Sequence, residues 1–233
     1  MDDKKTGEGL ITVYHRLLDA YGPQEWWPAE EPFEVIIGAI LTQSTAWTNV
    51  EKAISNLKTA NRLSPEGIRE LAHEELAGLI RPSGYFNAKA RKLQAFCRWF
   101  EENYSDSLQQ LFENETSRLR EQLLGIYGVG EETADSIVLY AAGKPVFVID
   151  AYTRRFIDRI GLTTGENTYT ACQELFEKNL PADVHLFNEY HALLVRLGKD
   201  HCKKKPLCVG CCLNNAGTSS TNAKYPCSAL ITG

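Results

Sequence analysis

The sequence has no long hydrophobic run and only a small excess of charge of one sign. The longest apolar run extends from Val35 to Leu41, is interrupted only by Gly38, and is far too short to cross a bilayer. The first nine residues, MDDKKTGEG, lack the apolar segment of a signal peptide, so we expect a cytoplasmic protein. Hydrophobic residues make up 43% and charged residues 24% of 233 positions, ordinary values that exclude disordered and fibrous chains.

Alternating apolar and polar residues with paired turn signals are also missing, which excludes a large sheet. Helical periodicity recurs instead, and short connections contain glycine or proline. The sequence therefore predicts an all-α protein with about ten helices. They are expected over residues 9–20, 32–42, 46–59, 65–80 in two pieces, 87–103, 105–113, 117–125, 131–142, 151–160, 168–179 and 183–199.

The small net charge of -5 hides an uneven distribution. Residues 81–98 contain five basic residues and no acidic one, and residues 196–205 contain five basic residues against Asp200 alone. Such segregation is typical of a basic face that binds nucleic acid, but solvated helix faces give the same pattern. Charge alone leaves both interpretations open.

The most specific motif is LLGIYGVGEETADSIVLYAAG, residues 123–143. Gly128 and Gly130 allow a tight turn with left-handed backbone between two helices, and their N–H groups are expected to point outward at a helix start. Backbone N–H groups in this arrangement bind phosphate without reading base sequence. With Thr133 and Ala134 after the glycines, the motif is typical of a helix-hairpin-helix; an ordinary glycine turn between helices is the alternative.

Asp150 lies in the segment KPVFVIDAYTRRF, residues 144–156. Pro145 ends the preceding helix, a short apolar segment follows, and Asp150 precedes the next helix. An aspartate there is an ordinary helix N-cap. Its position after a phosphate-binding hairpin makes it a candidate catalytic carboxylate as well.

These features resemble the endonuclease III family of DNA base-excision glycosylases, and the resemblance covers nearly the whole chain. FEVIIGAILTQST, residues 33–45, is similar to the family's second helix and its glutamine-bearing turn. RPSGYFNAKARKL, residues 81–93, is similar to its glycine–aromatic–Asn–x–Lys–Ala segment. The strings WWP, residues 26–28, and LTQSTAW, residues 41–47, resemble the 3-methyladenine glycosylase branch.

The resemblance implies two helical domains with a DNA groove between them. Residues 31–144 would form a six-helix domain ending in the hairpin, and residues 1–30 with 145–233 a second domain carrying a metal cluster. It also implies that Asp150 is essential for cleaving the glycosidic bond of a flipped nucleotide. We therefore expect a nucleoid-associated monomer that acts on double-stranded DNA containing a damaged base, with no membrane partner.

One departure from the family is informative. Bifunctional members place a lysine two residues after the second hairpin glycine, where it attacks the sugar as an amine nucleophile. This sequence has Glu132 at that position, and a carboxylate cannot form an imine. The resemblance therefore implies a monofunctional glycosylase that uses water and leaves the strand intact.

The aromatic residues of the two branch-specific strings imply the base that is removed. In the 3-methyladenine glycosylase branch such aromatic residues line the base pocket. Indole faces attract cationic alkylated purines such as 3-methyladenine. Core packing is the alternative for each tryptophan. Uracil or thymine in mismatches, an oxidised pyrimidine, or DNA binding without catalysis remain alternatives for the function. The predicted pocket residues are Trp26, Trp27, Pro28 and Trp47.

Five of the seven cysteines lie in the last 32 residues, which indicates a metal site. Gaps of five, two and fifteen residues separate Cys202, Cys208, Cys211 and Cys227, and the last gap is longer than in the family. The resemblance favours a 4Fe-4S iron–sulfur cluster on these four, with a four-thiolate zinc site as the competing interpretation. Cys212 is the alternative fourth ligand, although it directly follows Cys211.

The remaining expected contacts are with DNA. Gln43 matches the family's glutamine that fills the gap left by the flipped base, although it could also be a helix C-cap. The lysines in the first gap between cysteines could meet a phosphate. The predicted DNA-binding residues are Gln43, Gly128, Gly130, Thr133, Lys203, Lys204 and Lys205.

Overall fold

The protein is all-α, as predicted. The computed structural model describes residues 3–27, 29, 31–162, 167–214, 225–228 and 230, and these ranges contain no β-strand. Their α-helices are α1 (Asp3–Tyr21), α2 (Pro32–Leu41), α3 (Trp47–Thr59), α4 (Pro65–Glu70), α5 (His73–Leu79), α6 (Phe86–Tyr104), α7 (Leu108–Glu113), α8 (Thr116–Leu124), α9 (Glu131–Ser136), α10 (Ala151–Ile160), α11 (Tyr169–Glu177) and α12 (Val184–Asp200). A π-helical turn, Ile137–Ala141, continues α9.

The helix boundaries follow local signals in the sequence. Proline occupies the first turn of α2 and α4, where its missing N–H costs nothing. Side-chain oxygens of Ser64, Ser107 and Thr168 accept hydrogen bonds from the first turns of α4, α7 and α11. None of the described helices is long and apolar enough to cross a membrane.

The chain divides into two compact units. The central unit is Trp27–Lys144, and the terminal unit combines Met1–Trp26 with Pro145–Gly233. The division after Trp26 lies four residues before the start that we predicted for the six-helix domain, whereas the division after Lys144 lies at its predicted end.

Each unit has its own core. In the central unit α2, apolar nearly all round, is buried along residues 33–41 and packs against α3, α6, α9 and the π-helical turn. In the terminal unit α12 packs against α1 and α10. Its aromatic core includes Phe147, whose ring stacks on Phe176 at 4.0 Å, and Tyr190, whose hydroxyl donates to the Leu10 carbonyl at 2.8 Å.

Candidate functional site

Asp150 is the N-cap of α10, and only one of its two carboxylate oxygens takes part in the cap. Its Oδ1 accepts a hydrogen bond from the Thr153 N–H at 2.7 Å. Its Oδ2 lies 3.8 Å from Nε2 of His191, on α12, and the Asp150 side chain is 12% exposed. The two interpretations of this residue are therefore compatible: one oxygen caps the helix, and the other does not take part in the cap.

His191, which the sequence did not single out, keeps the neighbourhood of Asp150 free of a full positive charge. Burial lowers the pKa of His191 below its ordinary value of 6.5, and the negative charge of Asp150 opposes this shift only in part. The imidazole is therefore neutral near pH 7 and places no full positive charge beside the Asp150 carboxylate. No local sequence signal could reveal this pair, because the two residues come from different helices.

The hairpin has one left-handed glycine rather than two. Gly128 has φ +81, and a side chain there would also collide with the stem of Lys92 at 2.4–2.7 Å. Gly130 has extended backbone, φ -98 and ψ -179, and is the N-cap of α9. The expectation of left-handed backbone at both glycines is therefore wrong for Gly130. An added Cβ on Gly130 would also meet nothing within 4 Å.

Gln43 is held against this hairpin. Its Nε2 donates to the Gly128 carbonyl at 3.1 Å and to the Thr133 hydroxyl at 3.0 Å, and its Oε1 accepts from the Lys92 ammonium. The C-cap of α2 is Thr42, so Gln43 is not a helix cap. Thr133 is buried and contacts Gln43, which places it behind the hairpin surface.

Lys89 is almost fully buried beside this network, at 2% exposure. Its ammonium donates to the carbonyls of Leu41, at 2.9 Å, and Ser83, at 2.6 Å. Burial, followed by the charge of Lys92, lowers the pKa of Lys89 to about 8. The contact to Leu41 places a cation at the carboxyl end of α2, where the helix dipole favours positive charge.

Two of the predicted pocket residues meet in the central unit. The rings of Trp27 and Trp47 lie 5.0 Å apart in an edge-to-face arrangement, and Tyr140 lies 5.2 Å from Trp27. Gly38 leaves room for Trp27, since an added Cβ would approach its ring to 3.0 Å. Tyr140 belongs to the π-helical turn, a deformation often found at functional sites. We call Trp27, Trp47 and Tyr140 the aromatic cluster.

Trp26, a third predicted pocket residue, does not belong to this cluster. Trp26 belongs to the terminal unit, where the Lys199 ammonium lies 5.6 Å from its ring centre and where it lines a groove with Tyr14 and Leu18. Pro28 lies outside the described residues.

Four of the clustered cysteines surround one cavity of the terminal unit. Cys202, Cys208, Cys211 and Cys227 all line it. Cys212 does not line the cavity and instead hydrogen-bonds through its thiol to Cys211. The four predicted ligands therefore line one cavity, and Cys212 lies outside its lining.

Arg159, near the end of α10, donates hydrogen bonds to three atoms of the cysteine loop. Its Nη1 donates to Cys202 Sγ at 3.0 Å, and its Nη2 donates to the carbonyls of Lys203, at 2.6 Å, and Lys204, at 3.1 Å. The guanidinium also lies 5.3 Å from the ring centre of Tyr225. The side chains of Lys203, Lys204 and Lys205 remain exposed.

Four thiols around one cavity are a donor set that suits an iron–sulfur cluster, and thiolates also bind zinc. A zinc ion needs its thiolates about 2.3 Å from one point. Within the described ranges, no three or more side chains of His, Cys, Asp or Glu are arranged to hold one ion. Four cysteine thiolates are the ligands that a four-iron cluster requires.

The sequence of the chain is similar to those of known DNA repair proteins. Residues 37–182 match the family described as HhH-GPD superfamily base excision DNA repair protein. A Methanocaldococcus jannaschii protein described as a candidate DNA repair glycosylase is 46% identical over 205 residues, which cover 88% of this chain and 93% of that protein. Endonuclease III of Thermotoga maritima is 30% identical over 186 residues, 79% of this chain and 82% of that protein.

A solved structure extends the comparison to the fold. The crystal structure of H. pylori 3-methyladenine DNA glycosylase bound to 1,N6-ethenoadenine aligns with a TM-score of 0.71 at 28% identity. The alignment covers 85% of this chain and 98% of that one, so the likeness is not confined to the hairpin.

Proposed function

Because the chain belongs to the HhH-GPD superfamily of base excision DNA repair proteins, we propose that it is a monofunctional DNA glycosylase for alkylated purines such as 3-methyladenine. The observation that carries the proposal is the Asp150 carboxylate, of which only one oxygen caps α10 while a neutral, buried His191 lies beside the other. Family membership bears out the resemblance to endonuclease III-like glycosylases.

In the proposed mechanism Asp150 stabilises the charge that develops on the sugar. Breaking a glycosidic bond passes through an oxocarbenium-like state, and a preorganised carboxylate offsets its positive charge. The second oxygen is also available to accept a proton from an attacking water. A protonated His191 would neutralise part of this charge, so its lowered pKa favours the reaction near pH 7.

The hairpin supports water as the nucleophile. Glu132 occupies the position at which bifunctional relatives carry lysine, and its carboxylate cannot attack C1′ to form an imine. The product of the proposed reaction is therefore a free base and an intact abasic strand.

The aromatic cluster supports an alkylated purine as substrate. Trp27, Trp47 and Tyr140 offer electron-rich ring faces and edges, and such faces attract cationic bases more strongly than neutral ones. The similarity to a structure described as a 3-methyladenine DNA glycosylase favours the same class. In this proposal Trp26 and Pro28 complete the base-binding residues.

Duplex DNA would be held mainly through its phosphates. Gly130 has open space where a phosphate could approach the backbone, and the exposed lysines 203–205 carry charge for the same purpose. Gln43 would fill the gap left by the flipped base, with Gly128 and Thr133 holding it. The protein would act as a monomer.

A 4Fe-4S cluster would be held by Cys202, Cys208, Cys211 and Cys227. When bound, the cluster supplies structural order to the loop that carries the three lysines, and the proposed reaction needs no electron transfer. The zinc alternative is tested by metal analysis. Purified protein should be brown and contain iron, whereas one zinc and no iron would contradict the assignment.

The ligand set can be tested with single serine variants. Replacing any of the four cavity cysteines should abolish the visible absorption. Cys212→Ser is the matched control and should retain it, because Cys212 does not line the cavity. A Cys227→Ser variant with wild-type absorption would show that another group is the fourth ligand.

The substrate can be identified with a panel of duplexes. Each duplex carries 3-methyladenine, 7-methylguanine, uracil or thymine glycol, and the released base is measured by chromatography. We expect release of the methylated purines. Selective release of a pyrimidine would contradict the substrate, and tight duplex binding without release of any base would favour a non-catalytic DNA-binding protein.

A further inference from the structure

The loop between α2 and α3, residues 42–46, is held from one side by α6. Lys89 fixes its start through the Leu41 carbonyl, and Lys92, one turn later on the same face of α6, bonds to Gln43. Ser44 in this loop has φ +57, a left-handed conformation that is uncommon for residues other than glycine. The loop therefore depends on contacts from outside to keep its shape.

The contacts of Gln43 fix both ends of its amide. An ammonium group can only donate, so the oxygen Oε1 must face Lys92. The Gly128 carbonyl can only accept, so Nε2 must face the hairpin. A single conformer of Gln43 satisfies both partners, and a flipped amide would satisfy neither.

Lys92 also touches the hairpin itself. Its Cγ, Cδ and Cε lie 2.4–2.7 Å from the point where a Cβ on Gly128 would be. The aliphatic stem thus covers the left-handed turn while the amine holds Gln43. One side chain from α6 joins the loop 42–46 to the hairpin.

We propose that Lys92 is a positioning residue that fixes the Gln43 amide against the hairpin before DNA binds. The inference rests on the proposed function, which assigns Gln43 to the gap in the duplex. A long polar side chain loses rotamer freedom when it is immobilised in a complex, and a side chain that is already held loses less. The Lys92 amine therefore strengthens DNA binding through Gln43 and not through a phosphate.

A double-mutant cycle tests this. Lys92→Met keeps the stem over Gly128 but removes the amine, and Gln43→Met removes its partner. Binding is measured by fluorescence anisotropy to a duplex containing a tetrahydrofuran abasic-site analogue, at several salt concentrations. Lys92→Met should weaken binding roughly threefold to tenfold. In the Gln43→Met background the same change should have no further effect, and Lys92→Arg should restore most of the binding.

If Lys92 instead contacts a DNA phosphate directly, the losses of binding in the two single variants should add in the double variant. Additive losses in the double variant, with a salt slope that falls by about one, would overturn the proposal. Unchanged binding by Lys92→Met would also overturn it. Lys58→Met is a matched control on α3, because its amine pairs with Glu34 at 2.9 Å, and its binding should equal wild type.

The failure of this inference is distinguishable from failure of the proposed function. Base release by wild-type protein is measured on the same preparations, together with their melting temperatures. Base release with additive losses in the cycle would overturn only the role of Lys92. If wild-type protein releases no base and does not bind the abasic duplex, both proposals fall.

Discussion

Helix α6 of the central unit and helix α10 of the terminal unit each hold a loop with cationic side chains, but the cations differ. α6 uses two lysines, of which Lys89 is buried and Lys92 bonds to Gln43. α10 uses Arg159, whose planar guanidinium spans a thiol and two carbonyls. Lysine loses its charge when burial lowers its pKa, whereas arginine stays charged. Lys89 therefore makes the contact to the central unit's loop sensitive to pH near 8, whereas the contacts of Arg159 to the cysteine loop do not depend on a titration of Arg159.

The two ends of α10 also differ in what they do. Its N-terminus carries Asp150, whose proposed role is chemical, and its last turn carries Arg159, whose contacts are structural. Substitutions at the two ends should therefore separate the loss of activity from the loss of stability.

The largest effect is expected for Asp150→Asn. The amide oxygen can still accept from the Thr153 N–H, so folding should survive, but the lost charge should slow base release by roughly a hundredfold or more. Single-turnover base release and thermal melting measure the two quantities. Asp183→Asn is the matched control, since Asp183 caps α12 in the same way and should leave base release unchanged. Equal losses in both variants would mean that capping alone explains Asp150.

The next effect concerns the other end of α10. Arg159→Met removes the hydrogen-bond donor to the carbonyls of Lys203 and Lys204 and to Cys202 Sγ. The visible absorption should therefore decay faster, and the melting temperature should fall at every pH. Absorption decay under a chelator measures the first and calorimetry the second. Arg154→Met, on the same helix and bonded to the Asn167 carbonyl, should lose far less of either property.

What the sequence could predict in these regions was local. The hairpin glycines, the N-cap aspartate and the helices that begin with proline depend on neighbours within a few residues, so their patterns are visible in the chain. The cysteine cluster was visible because five of the seven cysteines lie in the last 32 residues. His191, Arg159 and Lys92 act on partners from other segments, and nothing in a single sequence pairs them. Tyr140 was missed for the same reason. The extended backbone of Gly130 could not be foreseen either, because glycine is compatible with both conformations.

A smaller effect, which unlike that of Arg159→Met depends on pH, is expected for Lys89→Met. Removing the amine leaves two buried carbonyls without a donor and should lower the free energy of unfolding by about 2 kcal/mol. Because the pKa of Lys89 is about 8 in the folded protein and 10.5 otherwise, the unfolded chain binds more protons between these values. Wild-type stability should therefore rise relative to the variant from pH 8 to 10.5.

Denaturant unfolding of both proteins at pH 7 and pH 10 measures this difference. A constant gap between wild type and Lys89→Met would contradict the buried, pKa-shifted lysine. Arg159→Met should show no such pH trend, which sharpens the contrast between the two helices.

The smallest effect tests the aromatic cluster without removing an aromatic ring. Gly38→Ala places a methyl group 3.0 Å from the Trp27 ring, so the ring must shift by a few tenths of an ångström. We expect a loss of stability of about 1 kcal/mol and a larger fall in release of 3-methyladenine than of neutral lesions. Gly78→Ala, on α5, meets nothing within 4 Å and is the control. Equal falls for cationic and neutral lesions would favour core packing for Trp27.

The proposed function requires that Asp150 and water remove the base and that no amine attacks the sugar. The most direct measurement incubates wild-type protein with a 3-methyladenine duplex, quantifies free base and strand nicking separately, and adds borohydride during turnover. We expect free base, an intact abasic strand and no covalent protein–DNA adduct. A trapped adduct with strand cleavage would contradict it.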